Sequence, residues 1–567
     1  MKTISERGTI VGVHRRDIPY GDKILNIMTR YTEKLKLGKL DRIKERLLLG
    51  VHVLEDEYKM RYQEISAKTI SQAGLFTIPN LMAHHGLHTG TMDFKSAFLY
   101  ANLKEEDHCY ARIPQSESAL LIEADPTWKD FLHTDNRIYV KVVGALYGHP
   151  AAPALWYDYL KDKLALLGFT PLVCEPCIFI RTSNGHLEII GIHVDDLIIG
   201  SKDMRIFDEL KAFREKYFKG EGTIEIGPTL EYLNLLFNFD RQDKSVTISQ
   251  ESFWNKLCTK FGLTDTTIVP NSPHDHDFMK KICDRNGIQR DIDQAEIEDF
   301  ASLVMAIFWG AKRSKPELLF DVSVLATQSR HASKLDYKDA IKVLRYIYGH
   351  QREGIKLKIN GDVQLSVFVD SSGSIHSDMR GHGGYVISIG SKLYGGPVDI
   401  SSSKAKSNGR SILEYELFSL HTMLPNALFL GNLLEELGYK RRPIIIYEDN
   451  KALIDAIKRG PISSGVTKHI ATKYYYSKDL IIQGIIELRH CPTALMIADI
   501  LIKDLPVKEF KDMSARLRNV AEFARHLIDE VYINLYAHST DQVHIGNYYD
   551  EYDMAVINIM STIIRYI

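Results

Sequence analysis

Seven carboxylates stand where apolar runs of this chain end or break. Asp93 lies in "TMDFKSAF", and Asp195 and Asp196 sit side by side within "GIHVDDLIIG". Further on, Asp370 closes "LSVFVD", Glu416 falls within "ILEYELFSL", Asp449 ends the run in "PIIIYEDN", and Asp499 opens the apolar part of "ADILIKDLP". A carboxylate withdrawn from water is costly unless it is protonated or paired, and two adjacent ones also repel. Hard divalent cations, which prefer oxygen ligands, relieve both costs. Two such ions a few ångströms apart can activate an attacking oxygen and stabilise a leaving one in phosphoryl transfer. A single strand-end Asp is more often a turn cap. The Asp195–Asp196 pair inside an apolar run is harder to explain that way, and points to a metal with Asp93 as a further ligand.

The elements around these acids follow from periodicity. "CIFIRTSNGHLEIIGIHVDDLIIG" reads as a strand, an Asn-Gly turn and a strand or tight hairpin. Residues 137–169 read as a strand, a Gly/Pro-rich loop and a helix with Leu155, Tyr159, Leu160 and Leu164 at helical spacing. "DMRIFDELKAFREKYF" reads as an amphipathic helix. "DYKDAIKVLRYIYGH" places Ala340, Val343, Leu344 and Ile347 on one face and stops at Gly349. A second αβ unit begins near residue 361, where a strand ending on Asp370 is followed by a helix running through Leu430, Leu433, Leu434 and Leu437 and by a strand leading to Asp449. Pro425 is expected to kink or split that helix, taken to begin near Glu416.

The bulk numbers admit an ordinary globular chain of several domains. It has 567 residues, 45 % of them hydrophobic and 25 % charged. No uninterrupted apolar run approaches the roughly 18 residues of a membrane span, so no membrane partner is expected, and the N-terminus lacks a signal-peptide core. Six scattered cysteines do not suggest a disulfide framework, and Cys174 and Cys177 are expected as two half-buried thiols rather than a zinc site. The net charge of −2 hides a basic start. Residues 1–50 carry twelve Lys or Arg against six Asp or Glu, and "KLKLGKLDRIKERLLLG" alternates basic and apolar positions. On charge alone that stretch is a solvated amphipathic face.

Taken in order, these motifs resemble the reverse transcriptase–RNase H segment of copia-type LTR retrotransposon polyproteins. "LDRIKERLLLG", "MDFKSAFLYANL", "VVGALYGHPAAPALWYD", "IHVDDLIIG" and "SLVMAIFWGAKRSKPELLFDVSVL" resemble the polymerase motifs. "VFVDSSGS", "ILEYELFSL", "IYEDNKALI", "TKHIATKYYYSKDL" and "ADILIKDLP" follow in the order of the family's RNase H domain. The resemblance runs from about residue 35 to about residue 515. It implies an α/β (α+β) fold: a right-hand polymerase of fingers, palm and thumb, followed by an RNase H-like mixed-sheet domain. The corresponding divisions are residues 1–90 for the N-terminal fingers, 91–265 for the palm with the remaining fingers, 266–360 for thumb and connection, 361–515 for RNase H, and 516–567 for a tail without a readable motif.

The resemblance also implies roles. Asp93 and Asp195 would hold metal, with Asp196 beside them, and Asp370, Glu416, Asp449 and Asp499 would form the second metal site; Glu414 is the alternative to Glu416. Two Mg²⁺ ions per site are implied, with Mn²⁺ as a substitute. Lys44 and Arg46 would meet the triphosphate, Phe98 would lie under the sugar and select deoxynucleotides, His193 would touch the primer end, and His469 is an accessory candidate. The implied partners are an RNA template, a DNA primer, dNTPs and the RNA–DNA hybrid, with a tRNA primer and other element-encoded proteins in a cytoplasmic virus-like particle. The implied activity is RNA-directed DNA synthesis with cleavage of RNA in the hybrid. Alternatives are a decayed copy retaining only RNase H, or a catalytically dead nucleic-acid binder. The sequence departs from the family at Ala151, where Gln is usual, at His193 in place of Tyr, and at Ile502 and Asp504. Capsid, protease and integrase segments would precede these domains in a complete element, so the chain is expected to be a processed product, a truncated copy or an isolated domain pair.

Overall fold

The alternation of the basic stretch has a structural meaning: Leu25, Ile27, Leu47 and Leu49 are buried at a period of two, as in a strand with one face on a core. In the computed structural model, which describes residues 4, 7–36, 39–50, 68–285, 291–391, 394–459 and 468–520 with the side chains of 32–45 and 468–469 excepted, four sheets organise the chain. Strands Ile24–Lys36 and Lys39–Gly50 pair antiparallel at one edge of a five-stranded sheet, next to Cys109–Ile113, Ile138–Val142 and Ile10–Val13. This sheet is locked to the loop "LYG" by the Leu49 N–H, which donates to the Tyr147 carbonyl at 2.7 Å. Gly148 takes φ +90° there, and a Cβ on it would fall 2.5 Å from the Leu49 carbonyl oxygen. Only glycine fits that contact.

The second sheet has the order Ile224–Ile226, His88–Asp93, Asp196–Ser201, His186–His193, Ile178–Ser183 and Thr170–Pro171. Asn184 and Gly185 both have positive φ, the signature of the primed two-residue turn that the sequence predicts. The next turn, Val194–Asp195, carries the first acid of the pair, and Asp196 opens the strand after it. Val194 has φ +60°, a strained state for a β-branched residue, and the Trp156 indole N–H donates to its carbonyl at 2.7 Å. Helices Gln72–His84, Ala152–Ala165 and Arg205–Phe218 bury their apolar residues with this sheet. The face that Ala152–Ala165 buries is Trp156, Tyr157, Leu160 and Leu164, with Leu155 and Tyr159 only partly covered. Trp156 draws the helix round because its indole must reach Val194.

A four-stranded sheet joins Thr229–Tyr232, Leu235–Asp240 and Ser245–Ser249 to Ile355–Lys358, across the helical segment between them. Helices Gln294–Ser314 and Lys334–Gly349 each begin with a capping box, Asp293 with Glu296 and Ser333 with Asp336. Ala340, Val343, Leu344 and Ile347 are buried, as their spacing predicts.

The fourth sheet runs Asp399–Lys404, His382–Ile389, Leu365–Ser372, Ile444–Glu448 and Ile486–His490, the last two pairings parallel and the others antiparallel. Helix Ile412–Glu436 packs on it, starting four residues before Glu416 with Ser411 as its cap. It runs unbroken through Pro425, so of the expected kink or split the split does not occur. Leu417, Leu420, Leu424, Ala427, Leu430 and Leu433 are all buried, and packing on both sides of the proline offsets its cost of about 3 kcal/mol in a helix interior. By length and mean hydropathy this helix could cross a membrane, although polar residues interrupt it. Its apolar residues instead serve the protein core.

The second and fourth sheets share one hydrophobic core. Glu436, at the end of that long helix, accepts hydrogen bonds from the backbone N–H groups of Val173 at 2.6 Å and Cys174 at 3.1 Å. The His85 ring meets the Tyr439 hydroxyl at 2.5 Å. Cys174 is half-buried, as expected, but Cys177 is fully buried. All six cysteines are free. Residues 521–567, most of the expected tail, lie outside the described residues.

A buried ionic link joins the helical region to the last turn of the chain's second half. His274 Nδ1 lies 2.7 Å from Asp321 Oδ1, and its Nε2 lies 3.0 Å from the Leu505 carbonyl. Burial disfavours the charged ring, but the Asp321 carboxylate outweighs it, and the His274 pKa rises from 6.5 to about 9. A histidine whose folded pKa is raised contributes its full stabilisation below the unfolded value and loses it as pH climbs through the folded one. Denaturation measured at pH 6, 8 and 10 is therefore expected to show wild type losing stability across this window. His274→Gln should remove on the order of 3 kcal/mol of that loss.

Candidate active sites

The acids of the second half converge from four elements. Asp370 lies in strand Leu365–Ser372, Glu416 on helix Ile412–Glu436, Asp449 just beyond strand Ile444–Glu448, and Asp499 in the short turn Ile497–Leu501. Parallel pairing of Ser366–Phe368 with Ile445–Tyr447 carries Asp370 and Asp449 to the same end of the sheet. Ligand oxygens of Asp370, Glu416 and Asp449 all lie within 4.8 Å of one another. They open, with Asp499, Lys503 and His490, into a cavity of about 550 Å³. Strand Leu365–Ser372 runs past Asp370 instead of ending on it, so this acid is buried, as are Glu416 and Asp499.

That crowding shows in the titration of the groups. Burial, then the hydrogen bond that its protonated form donates to Asp499 and the charges of Glu416 and Asp449, pushes the Asp370 carboxyl far above the usual range. Burial and the neighbouring Glu448 do the same to Glu416. Glu416 Oε2 is buried with no hydrogen-bond partner among the described residues. Lys503 Nζ, 2.6 Å from Asp499 Oδ1, is the nearby cation. An all-oxygen donor set with an orphaned buried oxygen is what a hard divalent cation requires, and these residues fit one. Glu414 is placed differently: its carboxylate accepts from the Arg410 N–H at 2.8 Å, outside the cluster.

Two neighbours escape the sequence reading. Glu448 is fully buried, with its carboxyl pushed well up by burial. The adjacent acids in "YEDN" repeat the kind of signal that singled out Asp195 and Asp196, yet only Asp449 is chosen from the sequence. His490 ends strand Ile486–His490, pairs in register with Glu448 and lines the cavity. Burial, then Lys451, lowers its pKa. No local pattern in "ELRHCP" announces it; the parallel register puts it there.

The first-half acids meet by strand register. Asp196 pairs with Asp93 across antiparallel strands, and the Phe94 N–H donates to the Asp195 carbonyl at 3.1 Å. The expected burial is corrected: Asp195 lies in the two-residue turn of the hairpin, Asp196 opens the strand after it, and all three acids are half-exposed. At this end of the sheet water shares the cost of their charge. Among the described residues the acidic trio of the second half is the one group drawn within 4.8 Å. In the first half Asp93 Oδ1 is held by the Thr223 backbone N–H and by the Thr223 hydroxyl at 2.6 Å. As placed, these three do not form a closed cation site.

Phe98 lies on the turn Ala97–Tyr100 with its ring 5.2 Å from that of Tyr147. Tyr147, another residue missed from sequence, is pushed up first by burial and then by the Asp195 charge, with Arg46 and Arg7 opposing. Arg46 is half-buried and pairs in register with Arg30. The side chains of Lys44 and His469 lie outside the described residues. His193 ends the strand before the acidic turn and is lowered by burial. Ala151, at the position of the expected Gln, is buried, and its N–H donates to His149 Nδ1 at 3.2 Å.

Residues 16–273 match the family model of reverse transcriptase (RNA-dependent DNA polymerase). The chain is 24 % identical over 519 residues to the retrovirus-related Pol polyprotein from transposon TNT 1-94 of Nicotiana tabacum, covering 90 % of this chain and 36 % of that one. Over residues 16–273 the chain is thus similar to reverse transcriptases, and the relatives that it resembles along most of its length are transposon Pol polyproteins. Against the Pol polyprotein from transposon RE1 of Arabidopsis thaliana the identity is 23 %, over 90 % of this chain and 33 % of that one. Against a putative transposon Ty5-1 protein of Saccharomyces cerevisiae it is 25 %, over 56 % of this chain and 93 % of that one. The chain thus spans about a third of these two Pol polyproteins. Its fold is shared with a foamy viral protease-reverse transcriptase solved with ds DNA, at a TM-score of 0.50 and 12 % identity, covering 88 % of this chain and 69 % of that one.

The raised carboxyls of the second-half site make a stability prediction. An acid whose folded pKa exceeds its unfolded value destabilises the fold progressively as pH rises from the unfolded value. Metal-free protein is therefore expected to melt lower at pH 8 than at pH 6. Mg²⁺ or Mn²⁺ should raise the pH 8 melting temperature, and Asp449→Asn should weaken that gain while stabilising the metal-free form, as thermal denaturation will show.

Proposed function

We propose that the chain is an RNA-directed DNA polymerase with an attached RNase H, each half transferring phosphoryl groups at its own acidic site. The observation that carries the second activity is the Asp370–Glu416–Asp449 cluster, with ligand oxygens within 4.8 Å beside an open cavity. Divalent ions, Mg²⁺ or Mn²⁺, would supply positive charge to the attacking and leaving oxygens of phosphoryl transfer. Asp370, Glu416, Asp449 and Asp499 would hold them in the RNase H half. His490 stands at the cavity wall, where a proton acceptor or donor can reach a leaving oxygen. RNA would be recognised there by its 2′-OH groups across a wide, shallow minor groove.

In the polymerase half, Asp93, Asp195 and Asp196 gather at one corner of the sheet, facing the primer terminus and the incoming dNTP. Arg46, with Lys44, would meet the triphosphate as fork and point charge. Phe98, backed by Tyr147, would lie under the sugar and exclude a ribose 2′-OH, and His193 would contact the primer end. An RNA template, a DNA primer and the RNA–DNA hybrid are the partners of this reading, and a cytoplasmic virus-like particle, with a tRNA primer, is its setting.

A second reading has one observation in its favour. Asp93 is turned onto Thr223 while the RNase H acids are assembled, which is what a copy retaining only RNase H activity would show. Primer extension on an RNA template, run beside label release from RNA in a hybrid, separates the readings. Asp195→Asn is expected to abolish extension alone and Asp449→Asn to abolish cleavage alone, each by at least about a hundredfold. Cleavage without extension in wild type would establish the second reading. Silence in both, from folded protein that still binds the hybrid, would leave a nucleic-acid binder.

A further inference from the structure

Arg7 belongs to no motif and lies 86 residues before Asp93, yet its side chain is only 5 % exposed. Its Nη1 donates to the Ser96 carbonyl at 3.0 Å. Its Nη2 donates to the Tyr100 hydroxyl at 2.9 Å and to Glu221 Oε2 at 2.6 Å. The guanidinium also stacks over the Tyr100 ring, 3.9 Å from its centroid. Tyr100 in turn donates its hydroxyl to the Phe218 carbonyl at 2.6 Å. One side chain thus ties the start of the chain to the turn that follows Asp93 and to the end of helix Arg205–Phe218.

The backbone at that turn needs holding. Ser96 has φ +56°, the left-handed region that a residue with a Cβ enters only at a cost. It immediately precedes Ala97–Tyr100, the turn that carries Phe98 against Tyr147. A planar fork can reach the Ser96 carbonyl and the Tyr100 hydroxyl at the two ends of this turn at once, while a lysine ammonium offers a single point. The two contacts span the turn, and Phe98 lies between them.

We infer that Arg7 is a positioning residue for sugar selection: by clamping Ser96 and Tyr100 it fixes where the Phe98 ring meets an incoming nucleotide. The inference rests on the polymerase reading above and on the role given there to Phe98. Arg7 itself touches neither substrate nor the acids.

The test is the ratio of kcat/KM for a dNTP over the matching rNTP in primer extension by the full chain. Arg7→Met is expected to lower this ratio about tenfold, the size of one left-handed residue's conformational cost, with hybrid cleavage and melting little changed. Arg7→Lys, which keeps the charge beside Glu221 without the fork, should lie between. Ser96→Gly, which removes the left-handed penalty, should restore the ratio when combined with Arg7→Met. An unchanged ratio in Arg7→Met, or no recovery with Ser96→Gly, overturns the inference while leaving the polymerase reading intact. Extension, cleavage and melting falling together in both Arg7 variants would show a purely structural residue and overturn it as well. A wild type that extends no primer removes the polymerase reading, and the inference with it.

Discussion

Mutual repulsion among carboxylates gathered at a sheet end is the constraint on which this structure turns. Such groups attract a divalent cation only if they are held close, and holding them close costs free energy until it arrives. The RNase H-like half accepts the full cost. Asp370, Glu416 and Asp499 are buried, Glu448 is fully so, and the Lys503 cation stands beside the cluster. The polymerase half avoids most of it by placing Asp93, Asp195 and Asp196 at a half-exposed turn, with Thr223 holding one oxygen of Asp93.

Each solution needs its own scaffold. A buried cluster has to be enforced by rigid elements, and the parallel strands with the long helix Ile412–Glu436 supply them. An exposed turn has to be enforced locally, which the Trp156 hydrogen bond to Val194 and the register of Asp196 with Asp93 achieve. The two halves are also fastened to one another. Glu436 holds the loop at Val173 and Cys174, His85 meets Tyr439, and the hydrophobic core runs through both sheets. Two acidic sites on a shared core keep a constant spatial relation, as the two proposed reactions would require.

Local signals in the sequence were strong where one residue type has one geometric use. Asn184–Gly185 fixed a hairpin through its positive φ values, and the spacing of Ala340, Val343, Leu344 and Ile347 marked a buried helix face. Signals were incomplete where packing adds to a local preference. Pro425 does not split its helix, where buried leucines flank it, and Trp156 turns its helix toward the acidic hairpin. They failed where function comes from register. His490 joins the RNase H-like cavity because its strand pairs with Ile444–Glu448, and Tyr147 meets Phe98 because the Leu49 backbone holds the loop.

The order of the motifs and the acids that end apolar runs were determined by the sequence alone, as was the resemblance to copia-type reverse transcriptases. These depend on residue type and spacing, which the chain carries in one dimension. The tertiary structure decided which acids are buried, that Glu448 and His490 join them, that Thr223 takes an oxygen of Asp93, and that Arg7 reaches the turn after it. Those outcomes depend on which side chains from distant segments come within a few ångströms, where solvation and hydrogen-bond energies change steeply with distance.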